Sequence, residues 1–573
     1  MSISNKTSFN WKIAGEAGHG VMLAAKTMAR IAKRHGMQSF NYLEYPSLIR
    51  GGHQTGQVYA DFENATCQAK KLDILIAYTQ DSFEIHQDEI TTSTVIIFNS
   101  DFGKAPQEAM NKWGKQITSM PLSSWAKETT GTTLASNTTS IGVSAYLLGL
   151  NPDICKAVFA DEFKGKKELI EKNFKAFDLG YKEAKKVLKP ILTVVPQKDD
   201  MILLNGNEAI GMGALAGGLQ FYSAYPMTPA TGLLHFLNDH KHQLPIVVKQ
   251  VEDEIGAINE AVGASIAGAR AMTGSSGGGF ALMVEALSFA GTTEAPLVVL
   301  EAQRTGPASG VPTWTAQADL QFILTAGHGD FPRVILTPGT VQEHYDLGKL
   351  AMYLAEKYQL PVIIASDKYI LESHQTMKTP VAQNHNERQS MAGKEDLPAD
   401  ESYLRYKDTK DGISPRSIPG QEFGLHLANS YEHDPWGFAT EEGEVIASSV
   451  DKRAKKMEAI LTEIPQPQLI GPEKAEVTFV CWGSTVNVLI EAIHQAKSGT
   501  MNIIHLPCLH PFPVEAFTKL AKEAKKLVMV EGNANGQGEN WIRQQTDIKM
   551  DDSLRRYDGR PFYAEDLVKY ANK

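Results

Sequence analysis

The chain of 573 residues has only four cysteines, and they lie far apart, at Cys67, Cys155, Cys481 and Cys508. No two of them have the C-x-x-C spacing that zinc or iron–sulfur sites need. The sequence therefore offers no candidate for a cysteine-bound metal. We expect four reduced and mostly buried thiols, because a free cysteine packs like a small hydrophobic residue.

Long apolar runs and a strong charge bias are also missing. No apolar run approaches the ~18 residues needed to span a bilayer, and the N-terminal residues lack the apolar core of a signal peptide. The net charge of −10, from 66 acidic and 56 basic side chains, gives no electrostatic basis for nucleic-acid binding. We therefore expect a cytoplasmic protein that binds neither membranes nor nucleic acid.

What the chain does contain is a repeated alternation of apolar strands with helix-period segments. Its hydrophobic content of 42%, with 47 Gly and 27 Pro, is ordinary for globular α/β proteins. Strands that alternate with helices favour parallel sheets. We predict an α/β protein with three modules: residues 1–192, a doubly wound parallel sheet over 200–375, and a smaller module over 471–573. An extended connector over 376–470 would join the second module to the third.

The first module opens with a strand, a glycine-rich turn at Gly15, Gly18 and Gly20, and an amphipathic helix. We interpret His19 in this turn as a packing residue. The glycine spacing is not the G-x-G-x-x-G of dinucleotide-binding proteins, and no acidic residue is clearly placed for a ribose. A nucleotide-binding oxidoreductase is therefore disfavoured.

The second module has a proline-rich loop, AYPMTPA, at the end of a predicted strand. Two prolines make this loop rigid, so it would present the Thr228 hydroxyl with little loss of entropy. Such a hydroxyl suits a substrate carboxylate or carbonyl. A Pro-Thr turn is also a common helix cap, here of TGLLHFLNDH, so both interpretations stay open.

A helix rich in Gly and Ala follows, with Glu252, Asp253 and Glu254 near its start. These acids could simply interact with the helix dipole, whereas the small residues would let a flat ligand approach closely. The run Gly274 to Gly279 either binds an anion through backbone amides or forms a tight turn between a strand and a helix.

Four motifs now stand in order: YPMTP, VEDEIGAINEAVGASIAGARA, TGSSGGGFALMVEAL and EAQRTGPASGVPT. Their succession resembles the pyrimidine-binding domain of 2-oxoacid:ferredoxin oxidoreductase alpha subunits. GEAGHGVMLAAKTMA and YPSLIRGGH resemble the gamma domain of that family, and EHDPWGFATEEGEV resembles fused gamma–alpha chains of the 2-oxoglutarate type. The resemblance covers nearly the whole chain and implies a transketolase C-terminal-like third module.

The resemblance implies that Glu254 hydrogen-bonds the aminopyrimidine ring of thiamine diphosphate. A buried carboxyl group that faces a ring nitrogen promotes the tautomer that activates the cofactor, so Glu254 is a predicted catalytic residue. Thr228, also predicted to be catalytic, would contact the carboxylate of the 2-oxoacid. Tyr225, Pro226 and Gly277 would line the cofactor.

Further residues are candidates for binding the substrate. Arg304 could bind a carboxylate through its guanidinium fork or form a structural surface ion pair. In YPSLIRGGH, Ser47 and Arg50 would reach the substrate; Arg50 could bind the distal carboxylate of 2-oxoglutarate or a coenzyme A phosphate, or it could only hold the loop. Many relatives carry a basic residue after GVPT, whereas this chain has Trp314, which leaves the carboxylate anchor open.

The chain lacks the GDG motif and downstream Asn that hold the metal and the diphosphate in thiamine enzymes. The resemblance therefore implies a beta subunit that brings Mg²⁺ and a 4Fe–4S cluster, in an α2β2 heterotetramer. This enzyme would decarboxylate 2-oxoglutarate with coenzyme A and pass electrons to ferredoxin, or run in reverse as in a reductive tricarboxylic acid cycle. Alternatives are pyruvate or branched 2-oxoacids as substrates, and a non-catalytic assembly protein.

Overall fold

The computed structural model describes residues 7–48, 51–381, 387–397, 399 and 402–573. The chain folds into two compact units. The first contains the residues up to Leu204, with Ser373–Thr379 and Tyr563–Tyr570; the second contains Asn205–Glu372, Pro380–Phe562 and Ala571–Lys573. The segment boundaries expected from the sequence stay predictions.

Strands and helices are numbered along the whole chain. Those of the first unit are β1 (Ser8–Glu16), α1 (Val21–Arg34), β2 (Gln38–Glu44), β3 (His53–Asp61), β4 (Ile74–Ala77), α2 (Ser82–Ile85), β5 (Val95–Asn99), α3 (Gln107–Trp113), β6 (Ile117–Met120), α4 (Leu122–Thr130), α5 (Ser136–Leu147), α6 (Pro152–Glu162), α7 (Lys167–Val187), β7 (Met201–Asn205), β14 (His374–Lys378) and α19 (Ala564–Ala571).

The first unit is built on a mixed eight-stranded sheet in the order β6-β5-β4-β1-β3-β2-β14-β7. The strand predicted at the start of the chain is β1, the predicted helix is α1, and the glycine-rich turn lies between them. Gly18 and Gly20 have φ values of 102° and 70°, which side-chain-bearing residues rarely adopt. The His19 ring stacks on Tyr78 with 5.5 Å between ring centroids, in agreement with a packing role.

The elements of the second unit are α8 (Gly206–Ala216), β8 (Phe221–Ala224), α9 (Thr231–His240), β9 (Val247–Gln250), α10 (Glu254–Ile266), β10 (Ala271–Ser275), α11 (Gly277–Thr292), β11 (Leu297–Gln303), α12 (Leu320–Thr325), β12 (Val334–Leu336), α13 (Val341–Tyr358), β13 (Pro361–Asp367), α14 (Lys368–Glu372), α15 (Gly443–Ile460), β15 (Gln468–Ile470), β16 (Val477–Trp482), α16 (Thr485–Gln495), β17 (Met501–Leu506), β18 (Cys508–His510), α17 (Val514–Lys522), β19 (Leu527–Glu531), α18 (Gln537–Thr546) and β20 (Asp552–Arg555).

The second unit contains two sheets. The seven-stranded sheet has the order β18-β12-β13-β11-β10-β8-β9, and its neighbouring strands run parallel except β12 and β18, which are antiparallel. Successive residues of β11 enter different cores: Val299 packs with residues of α10 and α11, and Leu300 with residues of α8 and α13. The predicted doubly wound parallel sheet is confirmed. Four strands of the third module and β15, which lies in the predicted connector, form the five-stranded sheet β15-β17-β16-β19-β20.

A long helix in the predicted connector corrects the sequence-based interpretation. Helix α15 buries Lys452, Lys456 and Ile460, which lie one turn apart. The Nζ atom of Lys452 lies 2.6 Å from the Oε1 atom of Glu294, and Lys456 bonds the other oxygen of the same carboxylate. Because lysines form much of the buried face, the apolar periodicity that reveals helices in sequences is missing. The prediction of an extended connector is therefore wrong for residues 443–460.

The cysteines and the long helices bear on two further expectations. All four cysteines are free and buried, as predicted. Within the part of the chain that the structure describes, no helix combines the length and the apolar character that crossing a membrane requires.

Candidate active site

Residues singled out in the second module gather at one edge of the seven-stranded sheet. The YPMTP loop follows β8, α10 begins after β9, α11 begins after β10, and Arg304 follows β11. The carboxyl ends of parallel strands share one edge, and α/β proteins bind ligands there. The structure therefore brings Thr228, Glu254, Gly277 and Arg304 to the same edge.

Glu254, the first residue of α10, has a buried side chain that is only 4% exposed. The Oγ atom of Ser275 donates a hydrogen bond to Glu254 Oε1 at 3.4 Å and also lies 3.6 Å from the sulfur of Met227. Asp253 is the N-cap of the helix, and its Oδ1 accepts from the backbone N of Gly256 at 2.7 Å. The two explanations of the acidic cluster thus apply to different residues: Asp253 stabilises the helix end, whereas Glu254 turns inward.

Gly279, in the first turn of α11, leaves room for this carboxyl group. A Cβ atom at position 279 would lie 2.4 Å from Glu254 Oε1 and 2.0 Å from Ser275 Oγ, whereas one at Gly278 would meet open space. Strand β10 passes into α11 through Ser276 alone, which makes a tight turn between strand and helix, and Gly277 to Gly279 form the first turn of the helix. The Oγ atom of Ser276 is buried and has no hydrogen-bond partner.

Arg304 joins two loops of the candidate site. Its Nη1 donates a hydrogen bond to the backbone oxygen of Thr228 at 2.6 Å. Burial lowers the pKa of Arg304, and the charge of Asp319 opposes this effect. Helix α9 begins at Thr231 with Ala230 as its N-cap and has no side-chain cap bond. The capping interpretation of Thr228 is therefore wrong, and its hydroxyl is not engaged by α9.

The predicted cofactor-lining residues lie at the same edge. Tyr225 is 40% exposed and Pro226 is partly buried, directly after β8. Gly277 opens α11, and a Cβ atom there would lie 2.6 Å from Asp319 Oδ2, so Asp319 closes that side. Contacts of these residues with a cofactor stay predictions.

The substrate residues predicted in the first unit are only partly placed. Ser47 is exposed in the loop after β2, and Arg50 lies outside the described residues. His53, the first residue of β3, has its Nε2 atom 2.9 Å from that of His86. Burial and the neighbouring His86 lower the pKa of His53 to about 4. The proposed substrate contacts of Ser47 and Arg50 stay predictions.

Three acids near the edge of the seven-stranded sheet, Glu301, Asp319 and Asp367, were not predicted from the sequence. Glu301 in β11 is fully buried, and its Cα pairs in register with that of Ser275 in β10. Burial raises the pKa of Glu301 well above its ordinary value, and the charges of Asp319 and Asp367 add to the increase. An acid inside the apolar run LVVLEAQ is a signal that could have revealed it, because buried acids are rare and often mark functional sites.

Three family models match successive parts of the chain. Residues 10–183 match the pyruvate ferredoxin/flavodoxin oxidoreductase model, residues 212–452 match its thiamine-diphosphate-binding model, and residues 469–541 match the transketolase C-terminal domain. Together with the buried glutamate at the sheet edge, this order of domains defines an oxidoreductase chain with a thiamine-diphosphate-binding domain.

The relatives are more specific. The chain is 32% identical to 2-oxoacid:ferredoxin oxidoreductase 2, subunit alpha, of Aeropyrum pernix, over 79% of this chain and 75% of that protein. It is also 32% identical to the 2-oxoglutarate synthase subunit KorA of Methanocaldococcus jannaschii, over 58% of this chain and 88% of that protein. The solved 2-oxoglutarate:ferredoxin oxidoreductase of Magnetococcus marinus matches with a TM-score of 0.90 and 31% identity, over 99% of both chains. The chain belongs to the alpha subunits of 2-oxoacid:ferredoxin oxidoreductases, which confirms the resemblance.

Proposed function

We propose that this chain, with a beta subunit, oxidatively decarboxylates 2-oxoglutarate in the presence of coenzyme A, forming succinyl-CoA and CO₂ and passing electrons to ferredoxin. The observation that carries the proposal is the buried carboxyl group of Glu254, held by Ser275 and given room by Gly279 at the ligand-binding edge of the sheet. The choice of substrate is supported by the relative from Magnetococcus marinus, which was solved with 2-oxoglutarate, coenzyme A and succinyl-CoA bound.

The residues around Glu254 fit the aminopyrimidine part of thiamine diphosphate. Glu254 offers a buried carboxylate acceptor, Met227 an apolar surface, and Ser276 a buried hydroxyl without a protein partner. When bound, thiamine diphosphate supplies the electron sink for decarboxylation. Glu254 would hold a proton at a ring nitrogen of the cofactor, and its burial strengthens that hydrogen bond because the local dielectric constant is low.

Thr228 and Arg304 would orient the 2-oxoacid. Their hydrogen bond, 2.6 Å long, fixes the loop after β8 to the loop after β11. The Thr228 hydroxyl and the remaining donors of the guanidinium could then bind a carboxylate whose position is set by two rigid loops. Such preorganisation lowers the entropic barrier to the reaction.

The proposed reaction also needs a partner subunit. Relatives of this chain carry the name subunit alpha, which implies an enzyme of several subunits. We infer that a beta subunit supplies Mg²⁺, the diphosphate contacts and a 4Fe–4S cluster, in an α2β2 complex.

The test is 2-oxoacid- and coenzyme A-dependent reduction of a viologen dye. The chain is assayed alone and after co-expression with the product of the neighbouring gene, with 2-oxoglutarate, pyruvate and a branched 2-oxoacid compared. We expect dye reduction only by the complex, and fastest with 2-oxoglutarate. Faster dye reduction with pyruvate than with 2-oxoglutarate would identify pyruvate as the substrate. A complex loaded with thiamine diphosphate and iron that reduced no dye with any 2-oxoacid would favour the assembly-protein alternative.

A further inference from the structure

Trp314 lies under a basic side chain from a distant part of the chain. The Cζ atom of Arg560, in the loop after β20, lies 3.1 Å from the centroid of the Trp314 ring. The adjacent Gly559 packs on the same tryptophan, because a Cβ atom there would lie 3.0 Å from Trp314 Cβ. The backbone N of Thr315 donates to the oxygen of Gly559 at 3.3 Å. The two loops are thus fixed to each other at Trp314.

This contact continues to the candidate active site. The backbone N of Thr305 donates to the oxygen of Trp314 at 3.0 Å. The preceding residue, Arg304, holds the backbone oxygen of Thr228 at 2.6 Å. Arg560, Trp314, Thr305, Arg304 and Thr228 therefore form a continuous series of contacts that ends at the proposed substrate loop.

The charge of Arg560 has no carboxylate partner among the described residues. The nearby carboxylate of Asp558 is engaged by Arg556, with Nε to Oδ1 at 3.0 Å and Nη2 to Oδ2 at 3.2 Å. The Nη1 atom of Arg560 bonds only the backbone oxygen of Asp558, at 3.4 Å, and the residue is exposed. Because stacking uses the face of a guanidinium, the donors at its edge stay available for a ligand.

Arg560 also lines a narrow pocket of about 20 Å³. Its other lining residues include Arg556, the hydroxyl-bearing Thr315, Tyr369 and Thr485, and the apolar Phe562. Ligand-binding sites combine apolar walls with a few polar groups. The lining of this pocket thus suits a negatively charged group, because two arginines and several hydroxyl groups face it.

We propose that Arg560, stacked on Trp314, binds an anionic group of a ligand of this enzyme, either a carboxylate of the 2-oxoacid or a phosphate of coenzyme A. The inference rests on the proposed function. A guanidinium fork binds both kinds of group through paired hydrogen bonds. Stacking sets the plane of the fork in advance, so less side-chain entropy is lost on binding.

The experiment uses the complex of this chain with its beta subunit and three variants. Arg560→Gln removes the charge, and Trp314→Ala removes the stacking surface. Lys525→Gln is the control, because it removes one positive charge from a surface pair with Glu476 in which both side chains are more than 60% exposed. For each protein we would measure kcat, the KM values of 2-oxoglutarate, pyruvate and coenzyme A, and the calorimetric binding of 2-oxoglutarate and of coenzyme A.

We expect Arg560→Gln to raise the KM and weaken the binding of one ligand roughly ten- to hundredfold, as loss of a hydrogen bond to a charged group predicts. An effect on 2-oxoglutarate that spares pyruvate and coenzyme A identifies the carboxylate as the ligand. An effect on coenzyme A alone identifies the phosphate. Trp314→Ala should weaken binding of the same ligand, and Lys525→Gln should behave like the wild type.

Two results would overturn the inference: KM values and affinities within twofold of the wild type, or a fall of kcat with every substrate together with a lower thermal midpoint, which indicates a structural role. Failure of the proposed function is distinguishable, since a wild-type complex without 2-oxoacid-dependent dye reduction still allows the binding measurements. In that case binding of either anion that depends on Arg560 supports the inference, and binding that does not depend on it, or no binding, rejects it.

Discussion

At the residue scale, the environment of Glu254 separates it from the acids beside it. Glu252 and Asp253 are exposed, as is usual for acids at a helix N-terminus. Glu254 is buried because Ser275 donates to it and Gly279 leaves room for it. A carboxyl group placed in this way is suited to a ligand, since an acid that only interacts with the helix dipole has no need of burial.

The first prediction concerns the charge of Glu254. Replacing Glu254 by Gln keeps the shape of the side chain but removes the carboxylate. We expect 2-oxoacid-dependent dye reduction to fall by about 10²–10⁴-fold, the usual range for loss of a group that assists proton transfer. Folding and binding to the beta subunit, followed by circular dichroism and gel filtration, should be retained. The control Glu252→Gln should keep its activity, and an active Glu254→Gln enzyme would remove Glu254 from the mechanism.

The second prediction uses two adjacent glycines of α11. Gly279→Ala places a methyl group within van der Waals radii of Glu254 Oε1 and Ser275 Oγ, whereas Gly278→Ala points into open space. We expect Gly279→Ala to displace the Glu254 carboxyl group, to cost about 1–3 kcal/mol of stability and to lose most activity. Gly278→Ala should keep the stability and the activity of the wild type. Equal activities of the two variants would show that the Glu254 carboxyl group tolerates displacement.

At the scale of elements, α15 is attached by charges. Glu294 is fully buried and bonds both Lys452 and Lys456 of the helix. Burial alone would raise the pKa of Glu294, but the charges of the two lysines lower it below its ordinary value. The position of the helix therefore depends on a carboxylate that lies far from it in the sequence.

The third prediction tests this attachment. Glu294→Gln leaves two buried ammonium groups without a counter-charge, and we expect a loss of about 3–5 kcal/mol in the free energy of unfolding. The matched control is Asp408→Asn, which frees Lys455 of the same helix from an exposed pair that contributes about 0–1 kcal/mol. Thermal unfolding and limited proteolysis of residues 443–460 measure the effect. Equal thermal midpoints for the two variants would contradict a role of Glu294 in attaching α15.

At the scale of the whole molecule, a partly buried ion pair joins β17 of the five-stranded sheet to α13, which packs on the seven-stranded sheet. His505 of β17 has its Nε2 atom 3.0 Å from Oε2 of Glu343 in α13, and the backbone N of Gly339 donates to the same oxygen at 2.7 Å. Burial disfavours the charged form of both side chains. The charge of His505 nevertheless lowers the pKa of Glu343, and the charge of Glu343 raises that of His505.

The fourth prediction follows from the sign of these shifts. A carboxyl group with a lowered pKa contributes stability above its ordinary pKa of about 4.5 and loses it as the pH falls through the lowered value. Glu343→Gln should therefore cost about 1–3 kcal/mol at pH 7, the usual cost of losing a hydrogen bond to a charged group. The deficit, measured as a difference in thermal midpoints, should narrow as the pH is lowered below 4.5. If the difference in thermal midpoint between Glu343→Gln and the wild type did not change with pH, the ion pair would not be its cause.

Much of the fold and part of the site could be predicted because they depend on nearby residues. Gly18 and Gly20 allow a turn that residues with side chains rarely form, and the alternating apolar segments specify a parallel sheet. The carboxyl ends of parallel strands share an edge, so the order of the motifs already brings Glu254, Thr228 and Arg304 together. These conclusions need only local conformation and one rule of sheet topology.

Only the tertiary structure decided which partners these residues have. Ser275 holds Glu254, Arg560 covers Trp314, and Glu294 positions α15; each contact joins parts of the chain that the sequence does not relate. A buried charge is stable only beside a specific counter-charge or donor, and packing alone determines which one is near. The sequence by itself therefore determined the sheets and the order of the motifs, whereas the folded packing decided how the acids and arginines are paired.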